Sequence, residues 1–142
     1  MRAAIVLFLL FTSTAWAAIG NITESINAPP SILRKGSTLP GNKGSGVEMM
    51  DTVKTPQGKV GITFEDKTKV DITENSKLVI DDFVYDPKAG AGKLSVKVAL
   101  GTARYASGQI AKNNPQAVAI NTPTATIAVR GTDFTATVDE LG

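Results

Sequence analysis

Between residues 47 and 138, apolar residues recur at every second position in short runs separated by turn formers, and that alternation restricts the chain to strands. Val60, Ile62 and Phe64 alternate with Lys59, Gly61, Thr63 and Glu65. Val70 and Ile72, then Leu78 and Ile80, then Phe83 and Tyr85 continue the series. Leu94, Val96, Val98 and Leu100 form a longer run, and Ala125, Ile127 and Val129, with Phe134, Ala136 and Val138, close it. Side chains at i and i+2 share a strand face, so each run has an apolar face for a core and a wet face for solvent. Turn chemistry punctuates the runs at 55–58, 65–67, 74–76, 86–92, 107–108 and 113–115. No 3.6-residue stripe is sustained after residue 17, and only 109–112 has room for a helical turn. The pattern predicts an all-β fold, a compact β-solenoid or roll of short strands, with a β-sandwich as the alternative.

The N-terminal stretch has a different character. Arg2 precedes an unbroken apolar run, Thr12-Ser13-Thr14 interrupts it, and Ala15-Trp16-Ala17 has the small-x-small form of a cleavage site. The apolar core is about half of the roughly 20 residues a spanning helix needs, so residues 1–17 read as a secretory signal peptide cut after Ala17. The mature product is then expected to be periplasmic or secreted, with no stable membrane insertion. Residues 18–46 carry Pro29-Pro30, Pro40 and Gly36, Gly41, Gly44 and Gly46, punctuation that predicts a flexible arm, with Ile32-Leu33 able to add an edge strand. The expected domain spans 47–140.

Composition removes most catalytic chemistry. The chain has no histidine and no cysteine. That excludes imidazole general bases, the Ser-His-Asp arrangement, thiolate nucleophiles and the common zinc sites. A formal charge of +2, from 15 Lys+Arg against 13 Asp+Glu, argues against a nucleic-acid partner. The carboxylate pairs Glu65-Asp66 and Asp81-Asp82 are adjacent, and adjacent strand residues point to opposite faces, so neither pair converges on one acid-base site. They read as turns or solvated surface. Gly90-Ala91-Gly92-Lys93 resembles the end of a phosphate loop, but Pro87 stands where its first glycine belongs and Leu94 where Ser or Thr belongs. Lys59, Lys67, Lys69, Lys77, Lys93 and Lys97 are interleaved with Glu65, Asp66, Asp71 and Glu74, which reads as a mixed, solubilising surface. No catalytic residue, cofactor or metal ligand is assigned, and the chain is not expected to be an enzyme.

The most specific element is Thr122-Pro123-Thr124-Ala125-Thr126-Ile127-Ala128-Val129-Arg130-Gly131-Thr132-Asp133-Phe134. Pro123 is read as starting a strand, Ala125, Ile127 and Val129 as filling one face, Gly131 as a bulge or close approach, and Phe134 as an anchor. Arg130 offers a planar fork for a carboxylate or several carbonyls, as a binding group or as scaffold. The element resembles the Thr-Pro-x-Ala-x-x-x-Val-Arg-Gly-Thr-x-Phe hallmark of the FecR-domain family. Phe64-Glu65-Asp66-Lys67-Thr68, followed by Leu78-Val79-Ile80, resembles that family's Phe-x-Asp-x-Thr segment. The resemblance covers about residues 44–138 and marks Thr122, Pro123, Ala125, Val129, Arg130, Gly131, Thr132 and Phe134 as fold-defining positions.

Iron-citrate sensors of this family join a cytoplasmic anti-sigma segment and a membrane helix to their periplasmic region. Here the signal leads straight into the domain, so the resemblance implies a domain-only envelope member, and iron signalling is not carried over. The expected role is a non-catalytic module binding a protein, peptide or glycan at the bacterial envelope. The alternative is a structural or assembly domain of a surface or virus-encoded protein. The alternation from 132 to 140 runs close to the last residue, which raises the expectation of a longer natural product or of self-association through the C-terminal strand.

Overall fold

A computed structural model describes residues 18–27, 30–128 and 133–138. Residues 1–17, where the signal peptide is expected, lie outside the described residues. Twelve strands are described, with a single helix of five residues and one short 3-10 turn among them. The strands are β1 (Gly20–Ile26), β2 (Ser31–Arg34), β3 (Ser37–Pro40), β4 (Gly46–Val47), β5 (Thr52–Thr55) and β6 (Lys59–Phe64). They continue as β7 (Lys69–Ile72), β8 (Ser76–Asp86), β9 (Ala91–Ala106), β10 (Val118–Asn121), β11 (Thr126–Ala128) and β12 (Asp133–Val138). The all-β expectation holds: one curled sheet, antiparallel at every junction except the parallel pair β9–β10.

The curl is made by β9. Its positions 91–100 run along β8, with β10 on the far side of 94–97, and its positions 101–106 run along β12, with β7 on the far side of 103–106. The first half-sheet therefore runs β3-β2-β5-β8-β9-β10-β11, and the second runs β4-β1-β6-β7-β9-β12. At the junction Gly101 adopts a φ of +87° and the β8–β9 register slips between Lys77 and Leu78. The slip reverses which face is buried: Leu94, Val96 and Val98 point inward before it, Ala103 and Tyr105 after it. A strand that exchanges its inner face in this way can serve both halves of one core.

Both halves turn their apolar faces onto that core. Ile32, Val53, Leu78, Ile80, Leu94, Val96 and Val98 come from the first half, and Ile22, Val60, Ile62, Phe64, Ile72 and Tyr105 from the second. The rings of Phe64 and Phe83 stack across the gap, with centroids 5.5 Å apart and planes at 23°. Helix α1 (Gln109–Asn113) buries Ile110 and Ala111 against the same cluster.

Residues 18–46 are not a flexible arm, and the domain does not begin at 47. Strand β1 lies between β4 and β6, and Ile22 and Ile32 are each 1% exposed. The punctuation that argued against regular structure makes tight hairpins instead. Lys35 and Gly36, with φ of 49° and 81°, form the two-residue turn that pairs Arg34 with Ser37. Pro40 ends the edge strand β3, where a missing N–H costs no ladder bond.

Candidate functional site

The C-terminal element divides between a described hairpin and an undescribed segment. Thr122 donates its N–H to the Ala125 carbonyl at 2.7 Å, and the Ala125 N–H is accepted by Thr122 Oγ1 at 3.0 Å. Pro123 and Thr124 are thus the central residues of a turn joining β10 to β11, whose register pairs Asn121 with Thr126. This corrects two expectations. Pro123 does not start a strand: its fixed φ suits the first central position of a turn. Ala125 does not fill the core face and is exposed, while Ile127 is half-buried against the core. Val129, Arg130, Gly131 and Thr132 lie outside the described residues. The backbone of Phe134 runs in β12 opposite Tyr105.

The upstream Phe-x-Asp-x-Thr segment is a clamp. Asp66 is 0% exposed, so it is neither a solvated turn residue nor surface. Its Oδ1 accepts the Thr68 N–H at 3.0 Å, and its Oδ2 accepts the Thr68 hydroxyl at 2.6 Å and the Ile110 N–H at 3.1 Å. Its carbonyl also accepts the Gln109 N–H at 2.8 Å. The helix begins at Gly108, which has no side chain to cap it. A carboxylate 44 residues upstream supplies that cap, locking α1 onto the turn after β6.

A second buried carboxylate was not foreseen from the sequence. Asp51 is 0% exposed and receives Arg34 in a two-pronged contact, Nε to Oδ1 at 2.9 Å and Nη2 to Oδ2 at 2.8 Å. Arg34 also meets Glu48 at 2.5 Å and the Gly46 carbonyl at 3.2 Å. The hydrogen bond to Asp51 raises the Arg34 pKa, against the effect of burial, with the Asp51 and Glu48 charges adding to it. The guanidinium therefore ties the end of β2 to the strand entering β5. A depression of about 220 Å³ beside it is lined by Lys35, Met49 and Met50 with the ion-pair residues. Arg34 lies in the stretch that read as an arm, 17 residues from its partner, so no local pattern announced the pair.

Asp81 sits inside a second register slip in β8, between Ile80 and Asp82, and Asp82 pairs with Lys93 at 3.2 Å. Among the described residues, no three Asp or Glu side chains gather to hold a metal ion. The two buried carboxylates have their oxygens occupied by groups that hold the backbone in place.

Strand β12 pairs with β9 from Asp133 opposite Ala106 to Val138 opposite Gly101. Ala136 and Val138 are buried, whereas Asp133, Thr135 and Thr137 are exposed. Among the described residues no strand pairs with its other edge. At its end lies a polar depression of about 330 Å³ lined by Glu74, Asn75, Gly101, Thr102 and Thr137.

The curled sheet, scaffold carboxylates and open edge define a small all-β domain built as a platform. The model of the FecR protein family matches residues 51–142, well over half of the sequence, and the chain belongs to that family. No curated protein and no solved structure matches it. Among the described residues no helix is long and apolar enough to cross a membrane.

Proposed function

We propose that this chain is a non-catalytic FecR-type binding module that acts at the bacterial envelope after removal of residues 1–17, and that it recognises a protein or peptide partner by strand addition to β12. The observation that carries this reading is the state of β12, held by six residue pairs on one side and by none among the described residues on the other. An extended segment laid along such an edge gains main-chain hydrogen bonds without any catalytic group. Family membership and the occupied state of Asp51 and Asp66 agree with a scaffold role.

The same edge supports a second reading, assembly of identical copies edge to edge. Affinity capture from envelope extract followed by amide exchange separates the two. The binding module is expected to be monomeric by light scattering and to show slowed exchange at 133–138 only when the captured partner is added. Lysines at the exposed positions, Thr135→Lys with Thr137→Lys, should abolish capture, because charged residues guard strand edges. Capture that survives this variant with unchanged exchange in β12 would contradict the proposal, and concentration-dependent association of the protein alone would favour assembly.

A further inference from the structure

The lysines that read as mixed with carboxylates along the sequence, and Lys54 beside them, are sorted by the fold. On the second half-sheet Lys59 lies 3.9 Å from both Glu24 and Asp71. On the first half-sheet Lys54 of β5 stands directly opposite Lys77 of β8. Their neighbours Val53, Thr55, Ser76 and Leu78 are buried, so both lysines point outward on the same face. Cross-strand partners have Cβ atoms about 5 Å apart, and like charges placed so are destabilising. No ion pair among the described residues involves Lys54, Lys77 or Lys97. Lys97 shares this face, since it pairs with Val79, two residues beyond Lys77 on β8. Of the adjacent acids Asp81 and Asp82 in β8, Asp82 is taken up by Lys93, and Asp81 sits in the register slip between Ile80 and Asp82.

This cationic track borders a concavity. A depression of about 370 Å³ is lined by Lys54 and Lys77 together with Ser31, Asn75 and Ser76. Asn75 and Leu100 also line the polar depression at the end of β12, so the two meet along the fold in β9. Beyond Lys97 the face continues into Asn121, whose amide donates to Ser95 Oγ at 3.1 Å. Ser31 and Asn75 thus flank the unpaired ammonium groups, while the Ser76, Ser95 and Asn121 side chains are held by bonds within the fold.

We propose that the outer face of the first half-sheet binds an anionic polysaccharide, with Lys54 and Lys77 as the primary contacts and Lys97 extending the track. The unpaired charges call for a polyanion, and the flanking hydroxyl of Ser31 and amide of Asn75 match sugar hydroxyls. Phe64, Phe83 and Tyr105 are buried in the core and Tyr85 packs against it, so among the described residues this face has no aromatic platform on which nucleobases stack. The site is separate from the β12 edge, and its failure would leave the strand-addition reading standing.

The test uses polygalacturonate as the uronate polymer, dextran as a neutral polymer and single-stranded DNA as a competing polyanion. Affinity electrophoresis over a range of salt concentrations reads the binding. The protein should be retarded by polygalacturonate and not by dextran, with retardation falling as salt rises. Lys54→Gln with Lys77→Gln should weaken retention about tenfold and flatten the salt dependence. The melting temperature should hold or rise, because the variant removes a like-charge pair. Lys59→Gln, on the other half-sheet, should leave retention within about twofold of the parent, since its charge is already paired. The proposal is overturned if the parent is not retained, if the double variant binds as well as the parent, if Lys59→Gln loses as much, or if single-stranded DNA binds more tightly than the uronate polymer.

Discussion

Gly101 holds the two halves of the molecule in their relation, and the cost of replacing it can be argued from two separate terms. Its φ of +87° disfavours any L side chain, and an added Cβ would come within 2.6 Å of the Ser76 Cα and 2.7 Å of the Asn75 carbonyl. Gly36 shares the first term, with φ of +81°, and has open space around it. Gly101→Ala is therefore expected to destabilise by about 3 kcal/mol, and Gly36→Ala by about 1 kcal/mol. Equal losses in urea unfolding would show that backbone conformation alone sets the cost. Tyr105 gives a pH signature at the same scale. Burial, then the charges of Asp66 and Asp133, push its phenol up to about 12, whereas an unfolded tyrosine titrates near 10. Between those values the folded chain keeps a proton that the unfolded chain has released, so stability falls as pH rises through that interval. The melting temperature of the parent should drop more steeply between about pH 10 and 12 than that of Tyr105→Phe. Parallel curves would refute the assignment.

At the level of elements, the alternation placed β6 to β9 well because each apolar run there is long enough for its period to show. The turns at 55–58, 65–67 and 74–76 fell where Pro, Gly, Asn and Asp allow reversal. The five-residue helix was legible as a single possible turn at 109–112. The alternation could not reveal the change of inner face inside β9. Leu100 continues the even-numbered apolar series, and only the Gly101-Thr102 interruption marks the point where Ala103 and Tyr105 take over. Of the four N-terminal strands, only β2 was foreseen, as an edge strand at Ile32-Leu33 although it lies between β3 and β5; the others were missed because they are two to seven residues long and joined by glycine and proline. The identity of β1, β2 and β4 as strands comes from distant partners, such as Ile22 against Ile62 and Ile32 against Val53, while β3 pairs locally with β2. Of the candidate site, the Asp66–Thr68 turn was visible as a motif but not as a buried clamp, since Ile110 reaches it only through the fold. The lysine face was hidden for the same reason: Lys54 and Lys77 are neighbours across strands but 23 residues apart in sequence.

For the molecule as a whole, the boundary of the family match and the boundary of the folded unit do not coincide. The match begins at residue 51, yet β1 to β4 all precede it. Strand β1 covers the edge of β6 over its full length, from Gly20 opposite Phe64 to Ile26 opposite Lys59. Strand β2 covers β5 from Thr52 to Lys54, and Arg34 neutralises the buried Asp51 that opens the matched region. A chain reduced to residues 51–142 would lose the fully buried Ile22, Ile32 and Val47, at about 2 kcal/mol each by area. It would also lose the Arg34–Asp51 pair that ties the end of β2 to the start of β5. Together these approach the whole stability of a small domain, about 5–15 kcal/mol. The expected outcome is that residues 18–142 unfold cooperatively on heating, with dispersed amide resonances beforehand, and that residues 51–142 show neither property. A cooperative transition in the shorter chain, within a few degrees of the longer one, would mean that the N-terminal strands decorate a core that is complete without them.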